Sequence, residues 1–264
     1  MKKYLVIGNP IEHSLSPKLH NFWIKKYNIN GVYEKKKVDD NDLKNLILKI
    51  KTKEISGMNV TVPFKNKIIP YLDQLSIEAK KTQSVNTIYL KNDIIIGHNT
   101  DISGFELSIK KTKYYIKDKK ILILGAGGVV PSIVEALTRM RSSQIYVTNR
   151  TKEKAVKLKE LFENLTVIDW GEIPNFDMVI NATSLGLKKD DVIDLDFSNI
   201  DKNKFFYDVI YNPKQTNFLQ TAKKIGCENQ NGKMMFIFQA FEAFKIWHQV
   251  DPIIDTETIN LLDE

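Results

Sequence analysis

The sequence is poor in the residues that staple or metallate a fold. Across 264 residues there is one cysteine, Cys227, which leaves no disulfide framework and no thiolate cluster for zinc or iron–sulfur. A reducing compartment is expected, with the cytoplasm the simplest. The four histidines, His13, His20, His98 and His248, show no ligand spacing, so no metal is expected. Long apolar runs are missing as well. The opening MKKYLVIG has a basic pair, but its apolar run is about five residues, against roughly seven to fifteen in a signal peptide. No stretch approaches a membrane span. There is no arginine-rich stripe either: 39 Lys+Arg against 32 Asp+Glu give +7, yet the excess is lysine scattered through EKKKVDD, KKTK and KDKK, as on solvated faces. Neither nucleic acid nor a membrane is an expected partner.

What is present is an ordinary packed composition, 42% hydrophobic, long enough for one large domain or two smaller ones. Up to about residue 100, apolar runs (YLVIG, GVYEKKKV, SGMNVTVP, NTIYL, DIIIGH) alternate with helix-period segments (SPKLHNFWIKKY, NDLKNLILKIK, KNKIIPYLDQLS). That alternation implies crossover units and a mostly parallel sheet. The pattern then restarts: KKILILGAGG is a buried-type strand with a glycine turn, VPSIVEALTRM a helix, SQIYVTN a strand, KEKAVKLKELF a helix, and DMVINAT and FFYDVIY later strands. Two α/β units therefore join near NTDISGF. The last amphipathic run, MMFIFQAFEAFKIWHQV, has no strand after it and must dock on something already formed, expected to be the first unit.

The turn Gly125-Ala126-Gly127-Gly128 follows a strand and precedes a helix. Its first glycine permits the tight turn, its second lets backbone approach a pyrophosphate, and the helix start supplies amide donors. Pro131 stands roughly where a third glycine would. At the end of the next strand, where NAD sites place a carboxylate, stand Asn149, Arg150 and Thr151, with Lys154 one turn on. Two cations and a hydroxyl suit a 2′-phosphate. Thr151 also fits a plain helix cap with Arg150 solvated.

In NVTVPFK, residues 59 to 65, Asn59 and Thr61 alternate with valines on a strand that Pro63 ends. Lys65 is then expected at a helix start, where the dipole opposes a cation and lowers its pKa; a surface lysine is the alternative. In GHNTDISGFE, Ser103 and Glu106 are spaced as a capping box, leaving Asp101 spare at a strand end, and Asn86 in SVNT has a similar position or forms a turn. Near the start, GNPIEHSLSPKLHNF puts Ser14 and Ser16 before Pro17, which reads as a helix cap or as a short-hydroxyl cradle for a small carboxylate.

Taken in order, NPIEHSLSPKLHN, NVTVPFK, SVNT, NTD, GAGG, NRT, NATSLG, DVIYNPKQT and NGKMMFIFQA resemble the shikimate dehydrogenase family over nearly the whole length. The resemblance implies an α/β fold of two domains: a mixed-sheet substrate domain (1–101 plus 235–264) and a Rossmann-type dinucleotide-binding domain (102–234), with a cleft between them. It implies reversible NADPH-dependent reduction of 3-dehydroshikimate to shikimate, within aromatic amino-acid biosynthesis. Lys65 and Asp101 become the catalytic pair, and Ser14, Ser16, Asn59, Thr61, Asn86, Tyr211 and Gln239 the substrate site. Gly125, Ala126, Gly127, Gly128, Asn149, Arg150, Thr151, Lys154, Thr183 and Gly232 would hold NADP. The partners implied are small molecules, with room for a homodimer. GGVVPS and Lys154 depart from the family's usual small residues and arginine. Two rivals are a quinate/shikimate dehydrogenase using NAD, which an Asp at 149 would have favoured, and a nucleotide-sensing protein without catalysis, which loss of Lys65 or Asp101 would have marked.

Overall fold

The computed structural model describes residues 1–188 and 190–263. The chain divides into two compact units, residues 1–104 with 237–264, and residues 105–236.

The first unit contains β1 (Lys2–Gly8), α1 (Ser16–Lys26), β2 (Gly31–Lys37), α2 (Leu43–Lys51), β3 (Gly57–Val60), β4 (Gln74–Leu75), α3 (Ile77–Thr82), β5 (Thr87–Lys91) and β6 (Ile94–His98). Helix α4 (Asp101–Thr112) begins in it and continues into the second unit. The sheet order is β2-β1-β3-β5-β6-β4. β1 pairs in parallel with β2 and β3, whereas β5 runs antiparallel to β3 and β6. β4 pairs in parallel with β6, so the sheet is mostly parallel as expected but mixed, with β5 alone running against the other five strands. The physical reason is the tight link Asn92-Asp93, both with positive φ (51° and 57°), a turn that joins neighbouring strands as a hairpin. Leu5, Ile7, Leu46, Ile47, Ile50, Met58 and Ile88 pack on one face of this sheet.

The second unit holds β7 (Lys120–Leu124), α5 (Val130–Arg139), β8 (Gln144–Thr148), α6 (Lys152–Leu161), β9 (Leu165–Val167), β10 (Met178–Asn181), β11 (Phe205–Asp208), α7 (Asn217–Ile225) and β12 (Glu228–Gln230). Its order, β12-β11-β10-β7-β8-β9 with every pairing parallel, is the doubly wound arrangement of dinucleotide-binding sheets. Helices cover both faces of such a sheet, which is why Ile121–Leu124 and Met178–Ile180 are buried without alternation. Helix α8 (Lys233–His248) starts in this unit and ends in the first, where α9 (Thr256–Asn260) follows. There Trp247 packs on Tyr4 with centroids 5.1 Å apart and donates its ring N–H to the Ile88 carbonyl at 3.1 Å.

No helix among the described residues is long and apolar enough to cross a membrane.

Candidate active site

In the first unit, four side chains of the expected site form one hydrogen-bonded chain. Lys65 Nζ donates to Asp101 Oδ2 at 2.6 Å, and both side chains are about nine-tenths buried. Asn86 Nδ2 donates to Asp101 Oδ1 at 2.9 Å and to Thr100 Oγ1 at 2.9 Å, while Asn86 Oδ1 accepts the Thr100 amide at 2.8 Å. Asn59 lies behind, its Nδ2 donating to the Asn86 carbonyl at 2.9 Å and to Thr87 Oγ1 at 3.0 Å. Its Oδ1 accepts the Tyr33 hydroxyl at 2.6 Å. Asn59 thus braces Asn86 from within the core, and Asn86 holds one carboxylate oxygen of Asp101 so that the other meets Lys65.

Three local expectations are corrected here. Strand β3 stops at Val60, so Thr61 lies past its end, where its amide still donates to the Ile7 carbonyl at 2.9 Å. KNKIIPYLDQLS forms turns and a short 3-10 segment, Ile69–Tyr71, instead of an α-helix. Pro70 sits inside the run without an N–H to give, and the Lys65 carbonyl is taken by the Val85 amide at 2.8 Å. Lys65 therefore owes its setting to Asp101 rather than to a helix dipole. Nor do Ser103 and Glu106 box the start of a helix, because α4 begins at Asp101 itself, whose amide donates to Asn99 Oδ1 at 3.0 Å. The carboxylate stands at a helix N-terminus, where the dipole favours a negative charge.

Ser14 and Ser16 flank the entry to α1. The N-cap is Leu15, without a side-chain capping bond, and Ser14 Oγ accepts the Ser16 amide at 3.4 Å. The simple serine-cap reading therefore does not describe this helix start. Ser16 is buried and interacts with the Tyr33 phenol, which burial holds well above its ordinary range. Tyr33 thus touches both Ser16 and Asn59. Nothing in GVYEKKK marks it in the sequence, whereas Thr87 and Thr100 stand beside Asn86 and Asn99 in paired short-polar signals, NT and NT, at strand ends. His20 stacks on Tyr33 with centroids 4.2 Å apart and the planes 2° from parallel. Full burial holds its imidazole neutral, with its pKa pushed down to about 3. Gln239 lies on α8 in the first unit.

In the second unit Gly125 directly follows β7 at φ +109°, and its amide donates to the Thr148 carbonyl at 2.7 Å. A Cβ there would stand 2.9 Å from the Ala182 carbonyl oxygen, so both conformation and contact demand glycine. Around Gly127, among the described residues, the only neighbour of a Cβ would be that oxygen at 4.0 Å, which leaves backbone open to a close ligand. Helix α5 follows with Val129 as N-cap, no side-chain cap and Pro131 in its first turn. The first-turn amides of α5 are spent within the chain, Val130 on the Gly127 carbonyl at 3.0 Å and Ser132 on the Val129 carbonyl at 3.1 Å, and Pro131 has none to give, so what the turn offers a ligand is the close backbone approach at Gly127. Asn149 Nδ2 donates to the Thr151 carbonyl at 2.8 Å. Thr151 is the N-cap of α6 but makes no side-chain capping bond. Arg150 and Lys154 are exposed, and among the described residues neither has an ionic partner; Lys152 instead pairs with Asp169. Two cations are thus presented at the end of β8 without being consumed by the fold.

Thr183 Oγ1 donates to Asn181 Oδ1 at 2.7 Å, and the Gly232 amide donates to the Ile210 carbonyl at 3.1 Å. A Cβ on Gly232 would clash with the Val209 carbonyl oxygen. The Tyr211 ring stacks on Phe236 with centroids 4.4 Å apart. Among the described residues, no group of histidine, cysteine and carboxylates could hold a metal ion.

Comparison with known proteins agrees along the chain. A family model described as the shikimate dehydrogenase substrate binding domain matches residues 6–88, and one described as shikimate / quinate 5-dehydrogenase matches residues 106–216. A shikimate dehydrogenase (NADP(+)) of Pelagibacter ubique is 59% identical over 99% of this chain and 99% of its own. The crystal structure of shikimate dehydrogenase from Aquifex aeolicus superimposes with a TM-score of 0.92 at 36% identity, covering 100% of this chain and 98% of that one. The Thermus thermophilus enzyme, solved in complex with NADP(H) and shikimate, gives 0.89 at 30% identity, covering 98% and 97%.

Proposed function

The chain belongs to the shikimate dehydrogenase family, and from that membership we propose how its residues divide the work of the reaction. It is an NADP-dependent oxidoreductase that reversibly reduces 3-dehydroshikimate to shikimate. The glycine turn at Gly125–Gly128 and the exposed cations Arg150 and Lys154 fit a phosphorylated dinucleotide. Bound NADPH supplies the hydride taken up by the ketone carbon. Lys65 donates an N–H proton to the oxygen that becomes an alkoxide, and its positive charge stabilises that oxygen as it forms. Asp101 holds the lysine nitrogen in place, and Asn86 and Asn59 hold Asp101. The 2.6 Å Lys65–Asp101 pair carries this reading: a nearly buried ammonium anchored on a carboxylate is a proton donor with a fixed aim.

Ser14 and Ser16 take the ring carboxylate with their hydroxyls, while Thr61, Tyr211 and Gln239 serve the ring. Thr183, Asn149 and Thr151 complete the cofactor contacts, with Gly232 keeping the neighbouring backbone close. A cytoplasmic location fits the lone thiol, and a homodimer is proposed as the assembly, to be read by light scattering. The deciding assay follows absorbance of the reduced nicotinamide with shikimate or quinate against NADP+ or NAD+, in all four pairs. Shikimate with NADP+ is expected to give the highest kcat/KM. Equal or better use of quinate with NAD+ would refute the assignment.

A further inference from the structure

The NATSLG and DVIYNPKQT segments meet on a buried carboxylate that the division of labour above leaves unused. Asp208 closes β11 and is 0% exposed. Its Oδ1 accepts from Asn181 Nδ2 at 3.1 Å and from the Ile210 amide at 2.9 Å, and its Oδ2 accepts from Thr216 Oγ1 at 2.6 Å. Each partner organises its own loop. Asn181 also donates to the Leu185 carbonyl at 3.0 Å and accepts both the amide and the hydroxyl of Thr183, at 3.1 and 2.7 Å. Thr216 caps α7 by accepting the Leu219 amide at 3.3 Å. Ile210 precedes Tyr211 directly.

Among the described residues no cation pairs with Asp208, and burial pushes its carboxyl up to about 6. Neutral donors alone make this an expensive charge to keep, and a framework role would be met more cheaply by an uncharged residue. What a carboxylate offers uniquely is acceptor capacity on both oxygens. Because everything facing Asp208 is a donor, the Asn181 amide can adopt one orientation only, with Nδ2 toward Asp208 and Oδ1 toward Thr183. The Thr183 hydroxyl is then spent on Asn181, and its oxygen already accepts the Leu185 amide at 3.0 Å. Toward a ligand it has only a lone pair left, which suits a hydroxyl or carboxamide N–H of a cofactor and not a phosphate oxygen.

We propose that Asp208 is a positioning residue for both ligands: through Asn181 it sets the polarity of Thr183, and through the Ile210 amide it sets the backbone that carries Tyr211. The proposal rests on the reading that Thr183 serves the cofactor and Tyr211 the substrate. The test is Asp208→Asn, with NADP+ affinity by calorimetry, the Michaelis constant for shikimate, kcat and the melting temperature. The expected result is about a tenfold rise in both the NADP+ dissociation constant and the shikimate KM, with a smaller change in kcat and no fall in melting temperature. Unchanged affinities would overturn it, as would losses that appear only together with a fall in melting temperature. Should that variant not fold, Thr216→Val against Thr216→Ser asks the same question. Weaker binding of both ligands in the first, restored in the second, supports the proposal, and two wild-type-like variants overturn it. A wild-type enzyme inactive on shikimate with NADP+ would sink the functional reading instead, while the NADP+ titration of Asp208→Asn would still decide the arm through Thr183.

Discussion

Asp101 in the first unit and Asp208 in the second are both buried carboxylates held by an asparagine amide, Asn86 at 2.9 Å and Asn181 at 3.1 Å. They differ in what completes them. Asp101 has an ammonium at 2.6 Å, whereas Asp208 has an amide and a hydroxyl. An ammonium can part with a proton and take one back from solvent, so the paired carboxylate sits where a proton has to move. A carboxylate ringed by neutral donors has no cation beside it to trade a proton with, and serves as a fixed point. The same residue type thus does chemistry in one unit and geometry in the other, according to the charge of its neighbour.

The largest test of that contrast is Lys65→Ala, which strips Asp101 of its cation and leaves it resembling Asp208. Loss of general acid help is expected to lower kcat by about 10²- to 10⁴-fold, or roughly 3 to 5.5 kcal/mol of barrier. The Michaelis constant for shikimate should rise far less. Steady-state kinetics on the folded variant read this, and normal turnover with weakened binding would reduce Lys65 to a positioning group.

Next comes Arg150, a cation without the ionic partner that Lys65 possesses. Its charge is free for a 2′-phosphate, and charge-assisted bonds of about 1.5 to 3 kcal/mol correspond to roughly ten- to hundredfold. Arg150→Ala should cost NADP+ that much in kcat/KM and NAD+ little. A parallel fall for both cofactors would show that Arg150 shapes the turn and does not read the phosphate.

The smallest effect lies in the pH dependence of stability, where the two units pull in opposite directions. His20 has a folded pKa of about 3, below the unfolded 6.5, so the unfolded chain binds more protons and stability is lost as pH falls below 6.5. Asp208 has a folded pKa of about 6, above the unfolded 3.8, so the native state binds more protons and its contribution improves as pH falls through 6. In urea unfolding at pH 7 and pH 5, His20→Phe should recover about 2 kcal/mol of the acid loss, and Asp208→Asn should deepen that loss by about 1 kcal/mol. Two variants that track the wild type would remove the contrast.

The second unit was far more legible in the sequence than the first, for a physical reason. Strands buried on both faces read as unbroken apolar runs, so ILIL and MVIN with the turn after Leu124 announce a parallel sheet. The mixed sheet of the first unit depends on Asn92-Asp93, two ordinary polar residues whose positive φ no periodicity reveals. Lys65 was legible by resemblance, but its local setting was not. NKIIPYLDQL has helical spacing, yet Pro70 and the claim of Val85 on the Lys65 carbonyl keep the segment in turns. Asp101 was misread in the same way, because the residues that organise the start of α4 are Asn99 and Thr100 on its upstream side. Tyr33 emitted no signal at all, since its partners lie far away in the chain, and Asp208 showed only as the first letter of DVIYNPKQT, which did not reveal its link to Asn181.

The division of the chain has a consequence in time. The first unit is discontinuous, residues 1–104 and 237–264, while the second is one uninterrupted stretch. Trp23, His20 and Tyr4 meet Phe244, Trp247 and His248 at centroid distances of 4.7 to 6.1 Å, so this aromatic core cannot close until residues 244–248 have left the ribosome. At roughly 5 to 20 residues per second, the amino-terminal half-unit waits on the order of ten seconds with those rings uncovered, while the later-born second unit can finish first. Vectorial synthesis thus reverses the order suggested by position, and the aromatic face of α1 is the surface that a chaperone would have to guard.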